Sequence, residues 1–157
     1  MLKNYQEEAI LKLTNFCNDL DKKSINQSFK DITNSQYLEI ENFSNPYICI
    51  RIPTGGGKTL VATKSIRVMT HDYLNKDYSL VFWLAPSDKI VSQTLEALKN
   101  RQHYYRQILD KEFDNIEVLS IQEAFRKSFN PNESLVIIVG TIQSFRTTNK
   151  DSRSLDQ

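Results

Sequence analysis

Six consecutive residues, Thr54-Gly55-Gly56-Gly57-Lys58-Thr59, stand one residue, Pro53, after the strand formers of YICIRI (47–52) and directly before a stretch of helical composition. A strand that turns through glycines into a helix aims several backbone N–H groups at one spot, and the positive end of the helix dipole favours an anion there. The glycines allow a tight curl and a close approach with no side chain in the way. Lys58 is then placed to reach the terminal phosphates of a nucleotide, and the Thr59 hydroxyl to ligate magnesium. The strict phosphate-loop pattern has a glycine where Ile52 stands. A flexible turn that merely precedes Lys-Thr is the weaker reading, because strand, glycines and helix occur in the order the chemistry needs.

The elements that must hold this loop follow from periodicity. Tyr5, Ala9, Leu13, Phe16 and Leu20 recur at spacings of three and four, which predicts a helix over 4–23. Residues 24–46 fill with Ser, Asn and Gln and read as a loop or insertion. From there strands and helices alternate. Strands are expected at 47–52, 79–85, 116–120 and 135–140. Helices are expected from Lys58 to about Asn75, from Ser87 (a plausible N-cap) to about Leu98, over 103–113 and near 121–128. A turn is read at 130–134 and a polar tail at 147–157. Apolar strands alternating with helices indicate an α/β fold, a parallel sheet flanked by helices.

Composition narrows the functional classes. The 157 residues carry 20 Lys and Arg against 19 Asp and Glu, a net charge of +1, which argues against indiscriminate nucleic-acid binding but leaves room for a local basic groove. No apolar run is long enough to span a bilayer, and MLKNYQEEAI does not read as a secretory leader. Cys17 and Cys49 sit among apolar neighbours and are expected to pack as small hydrophobes, with no metal-type spacing. A cytoplasmic protein without a membrane partner is expected.

Other residues that could do chemistry have plainer readings. Arg101, His103, Tyr104, Tyr105 and Arg106 could grip a nucleic-acid strand by charge and stacking; a solvated helix start with inward tyrosines is favoured instead. Glu7 and Glu8 suit the first turn of a helix. His71 lacks metal-type neighbours, and Trp83, between Phe82 and Leu84, reads as core or interface.

Taken with its neighbours, PTGGGKT resembles motif I of superfamily 2 helicases and translocases, where an apolar residue at the place of Ile52 is normal. LKNYQEEAI is similar to an upstream element of those proteins, in which the glutamine, here Gln6, reads the adenine edge; an amide both donates and accepts, as adenine requires. FWLAPSDKIVSQT resembles motif Ia, with Ala85, Pro86, Ser87 and Gln93 in the matching places. LVIIVGTIQSF resembles the later strand whose closing Thr-x-Gln, here Thr141 and Gln143, touches backbone phosphates of the tracking strand. More narrowly, the segments look like the N-terminus of type III restriction enzyme Res subunits and related DEAD/DEAH-box helicases.

The resemblance implies an incomplete RecA-like P-loop NTPase domain. Residues 1–23 would form an adenine-recognition helix, 24–46 a loop or insertion, and 47–157 part of the helicase ATP-binding domain. It implies ATP and Mg as cofactors, held by Gln6, Thr54, Gly55, Gly56, Gly57, Lys58 and Thr59, with Lys58 and Thr59 serving catalysis. It implies DNA as a partner through Pro86, Ser87, Gln93, Thr141 and Gln143, and a modification methyltransferase subunit as a possible second partner.

Hydrolysis on such a loop also needs carboxylates, usually at the end of an apolar strand, to hold the metal and position water. Each expected strand is followed by another residue type, and the family's Asp-Glu-x-His element does not occur in the 157 residues. A fragment truncated before that box, binding ATP without splitting it, and of marginal stability alone, is therefore expected. A non-catalytic nucleotide- or partner-binding module is the second reading. A small P-loop phosphotransferase is the third, disfavoured because the loop starts some fifty residues in and no arginine-rich lid follows.

Overall fold

In the computed structural model, which describes residues 2–146, the most deeply buried element is the strand β3 (Leu135–Thr141), every residue of which is buried. Its run Leu-Val-Ile-Ile-Val is apolar on both faces, as a central parallel strand must be. β1 (Leu80–Ala85) and β2 (Ile116–Ser120) pair with it on either side, both parallel, giving the order β1-β3-β2. Leu80 lies opposite Val136 and Ala85 opposite Thr141 on one flank, and Ile116 opposite Leu135 on the other. A parallel sheet flanked by helices is present as expected, built from three of the four expected strands.

Helices cover this sheet. α4 (Asp88–Lys99) packs on all three strands and on α5 (Tyr104–Asp110), burying Thr94 and Leu98 beside Ile108 and Leu109. α6 (Ile121–Arg126) follows β2 without a gap, because Ser120 closes the strand and caps the helix. Its hydroxyl accepts from the Glu123 N–H at 3.2 Å, and the Glu123 carboxylate accepts from the Ser120 N–H at 2.7 Å. Leu119, Ile121, Val136 and Ile138 form the core under α6, with Ala124, Phe129 and Phe145 against it. Residues 142–146 are helical; the polar tail 147–157 lies outside the described residues.

The chain divides into two compact units, one running to Asn75 and the other starting at Lys76. The N-terminal unit is built on α1 (Asn4–Asp19), which packs against α2 (Ile25–Thr33), α3 (Lys58–Arg67) and a π-helical turn, Val68–Tyr73. Its core is Leu13, Phe16, Cys17 and Val68, with Ile10, Phe29, Ile48 and Met69 packed around it.

Three expectations need correction. Residues 25–33 form α2 rather than a loop: Ser24 caps it by accepting from the Gln27 N–H, and Asn34 ends it in the left-handed region at φ 54°. Ile25, Phe29 and Ile32 supply the helical spacing beneath a polar composition, and all three pack on the core. YICIRI (47–52) is not a strand: no described strand pairs with it, and the Tyr47 N–H donates to the Tyr37 hydroxyl at 3.0 Å instead of to a ladder. β-branched content favours a strand only where a neighbour accepts its backbone. Cys49, on this segment, is exposed rather than packed, whereas Cys17 is buried as expected.

Candidate functional site

The glycine loop takes shape from two residues in the left-handed region, Gly55 at φ 74° and Gly57 at φ 81°. Gly57 is the N-cap of α3, and no side chain caps that end. The N-terminal turn of a ten-residue helix therefore follows the loop with no competing side-chain acceptor, an arrangement that fits an anion. A methyl group on Gly57 would meet the Gln6 amide nitrogen at 2.5 Å, so the third glycine is needed for space as well as for conformation.

Gln6 is brought to the loop across fifty residues of sequence. Its side chain is almost fully buried, and its Nε2 donates to the Gly56 carbonyl at 2.7 Å while its Oε1 accepts from the Lys3 N–H at 2.9 Å. One proton and one lone pair of the amide remain for another partner. Tyr5, next to it, donates its hydroxyl to the same Gly56 carbonyl at 2.8 Å. The Pro53 carbonyl also takes two donors, the Gly56 N–H at 2.9 Å and the Lys58 Nζ at 3.1 Å. Gln6, Gly55, Gly56, Gly57, Lys58 and Thr59, with Thr54 leading in, are thus gathered in the N-terminal unit. Tyr5 and the Pro53 carbonyl were not among the expected site residues. Tyr5 stood in the quoted YQEEAI string, but nothing in periodicity reveals a phenol bonded to a carbonyl 51 residues away.

The remaining expected residues lie in the other unit. Pro86, Ser87 and Thr141 stand at the C-terminal edge of the sheet, where parallel α/β sheets commonly carry their ligands; Gln93 lies within α4 and Gln143 in the turn of helix after β3. Pro86 and Ser87 follow β1, whose last residue, Ala85, is in register with Thr141 at the end of β3. Pro86, Ser87, Gln93 and Gln143 are exposed. Ser87 occupies the N-cap of α4, but its side chain makes no capping bond. Thr141 is buried, and its hydroxyl is engaged with the Ser144 hydroxyl at 2.7 Å and accepts from the Ser144 N–H at 3.2 Å, closing the turn that follows β3.

The basic and aromatic cluster after α4 is structural. Arg106 is buried; its Nε donates to Asp110 at 2.8 Å and its Nη1 to the Leu98 carbonyl at 3.2 Å, tying α5 to the end of α4. His103 caps α5 by accepting from the Tyr105 N–H at 3.2 Å. Only Arg101 and Tyr104 of the five remain exposed. Among the described residues no three His, Cys, Asp or Glu side chains gather as a metal site, and no helix is long and apolar enough to cross a membrane.

A glycine loop opening a helix and, in the other unit, a parallel sheet flanked by helices are parts found in the P-loop nucleotide-binding class, although no described strand leads into the loop. The family model described as type III restriction enzyme, res subunit matches residues 1–157, and the chain belongs to that family. The family is RecA-like and helicase-like, acts on DNA in an ATP-dependent manner, and generally uses ATP with Mg. Comparison with curated proteins returns no match, and neither does comparison with solved structures.

Proposed function

We propose that this chain is the ATP-binding front of a DNA-dependent helicase or translocase of the Res-subunit type. The observation that carries the reading is the assembly of Gln6 against Gly56 and Gly57 at the N-terminus of α3. In this reading Gln6 offers its remaining amide valences to adenine. The backbone from Thr54 to Gly57 and the first turn of α3 hold the phosphates, and Lys58 swings from the Pro53 carbonyl to the terminal phosphate. Thr59 supplies a hydroxyl to magnesium, which when bound with the nucleotide would neutralise phosphate charge.

Pro86, Ser87, Gln93, Thr141 and Gln143 would grip DNA through its backbone. Their place at one edge of the sheet supports this for Pro86, Ser87 and Thr141, which close adjacent strands. Backbone contacts give hold without sequence choice. A methyltransferase subunit is retained as a second partner of the intact assembly on the family resemblance alone.

The reading assigns nucleotide binding, and not hydrolysis, to these residues. β1, β2 and β3 are followed directly by Pro86, Ile121 and Ile142, none of which can hold a metal or orient water. That same observation favours a second reading, a binding module that takes nucleotide without turnover. Isothermal titration with Mg-ATP, on the wild type and on Lys58→Ala, tests the first claim. Saturable binding by the wild type, weakened tenfold or more in Lys58→Ala, is expected; equal binding by both would sink it. Phosphate release above the Lys58→Ala background would remove the second reading.

A further inference from the structure

We propose that the Tyr5 hydroxyl is a positioning group that latches the glycine loop in a closed state, one that nucleotide must displace. The inference rests on the nucleotide-binding reading above and adds to it the control of loop opening. Two carbonyls carry the argument. The Gly56 carbonyl receives both the Tyr5 hydroxyl and the Gln6 amide, at 2.8 and 2.7 Å. The Pro53 carbonyl receives both the Gly56 N–H and the Lys58 ammonium, at 2.9 and 3.1 Å. A carbonyl oxygen has two lone pairs, so each acceptor is filled.

The donors turned onto Pro53 are of the type a phosphate would take: a backbone N–H of the loop and the lysine that follows it. With both turned onto Pro53, the loop satisfies these two donors internally, and an anion would have to draw them away before it met the free start of α3. The Gly56 carbonyl lies within this same short turn, so pinning it from α1 holds the turn as it is. Gln6 is buried and built into the start of α1 through Lys3; it cannot leave without disturbing that helix. The Tyr5 ring, by contrast, is 41% exposed, and the bond from its hydroxyl to Gly56 is itself open to solvent. Tyr5 is therefore the releasable half of the clamp.

Tyr5→Phe removes the hydroxyl and keeps the ring. Two readouts are needed, one without nucleotide. In the ligand-free full chain, amide hydrogen exchange of the 54–59 loop should quicken about two- to fivefold, the upper figure being the factor that about 1 kcal/mol of one neutral hydrogen bond represents. Titrated with Mg-ATP, the same variant should bind tighter by a similar factor, because the loop starts nearer its open state. Unchanged exchange overturns the latch whatever nucleotide does. Faster exchange with weaker binding also overturns it, since the hydroxyl would then be organising the loop for its ligand. Faster exchange in a chain that binds no Mg-ATP, wild type included, upholds the latch and counts against the nucleotide-binding reading instead.

Discussion

At the scale of single residues, Gly57 combines a left-handed backbone with a neighbour at the place a side chain would take. Alanine there would carry a side chain at φ 81° and press on the Gln6 amide at 2.5 Å. Gly57→Ala is expected to lower stability by about 1–3 kcal/mol, read as a fall in melting temperature, and to weaken Mg-ATP binding with it. Wild-type stability and binding in Gly57→Ala would show that the loop does not hold this conformation. The two cysteines offer a second check. Burial pushes the Cys17 thiol up to about 11, whereas Cys49 is exposed. At pH 8 an alkylating agent should take one thiol quickly, at Cys49, and reach Cys17 only as the N-terminal unit opens. Two thiols reacting at one rate would contradict the packing of Cys17 against Phe16 and Val68.

At the scale of elements, the start of α6 makes a pH prediction. The Lys99 ammonium, first, and the Ser120 N–H, second, hold the Glu123 carboxylate down to about 2. A depressed acid stabilises the fold above its unfolded value of about 4.5, and that contribution fades as pH falls from there towards 2. Because both partners are substantially exposed, at 42% and 46%, the ion pair contributes at most about 1 kcal/mol. Glu123→Gln should flatten the melting temperature against pH between about 4.5 and 2 and leave it little changed in slope above 5. An unaltered acid limb would show that the cap and ion pair do not form. β1 makes another prediction: Leu80, Phe82 and Leu84 are exposed along a strand that carries no charge, and only β3 pairs with it among the described residues. Such an edge invites association. Leu84→Lys should reduce light scattering at a given concentration without lowering the melting temperature.

These elements also show how much of the fold the amino-acid sequence makes legible. β3 was readable because a fully buried parallel strand has no polar face to obscure it. The glycine loop was readable because its residue types are dictated by backbone conformation. α2 is hard to read from sequence because Ser, Asn and Gln among its residues mask the helical spacing of Ile25, Phe29 and Ile32. YICIRI was misread as a strand because propensity speaks of the segment alone, whereas a strand is a property of a pair. The Tyr5 contact was out of reach for the same reason: a hydrogen bond across 51 residues exists only after α1 has met the loop.

At the scale of the whole molecule, the division after Asn75 has a consequence. The expected nucleotide-binding residues, from Gln6 to Thr59, lie in one unit and the expected DNA residues, from Pro86 to Gln143, in the other, so each group can be tested by its own substitutions. Substitutions at Pro86 or Gln93 are expected to leave Mg-ATP binding within twofold, and Lys58→Ala to leave the sheet's hydrogen-exchange protection intact.

The central claim is that the glycine loop, as assembled here with Gln6 and α3, holds a nucleotide's phosphates. Thermal melting of the full chain with and without Mg-ATP, beside Lys58→Ala, tests it most directly. At a hundred times its dissociation constant a ligand adds about 2.7 kcal/mol of stability, so the wild type should melt several degrees higher with Mg-ATP and Lys58→Ala should not. A melting temperature indifferent to Mg-ATP, or an equal rise in Lys58→Ala, would contradict the account.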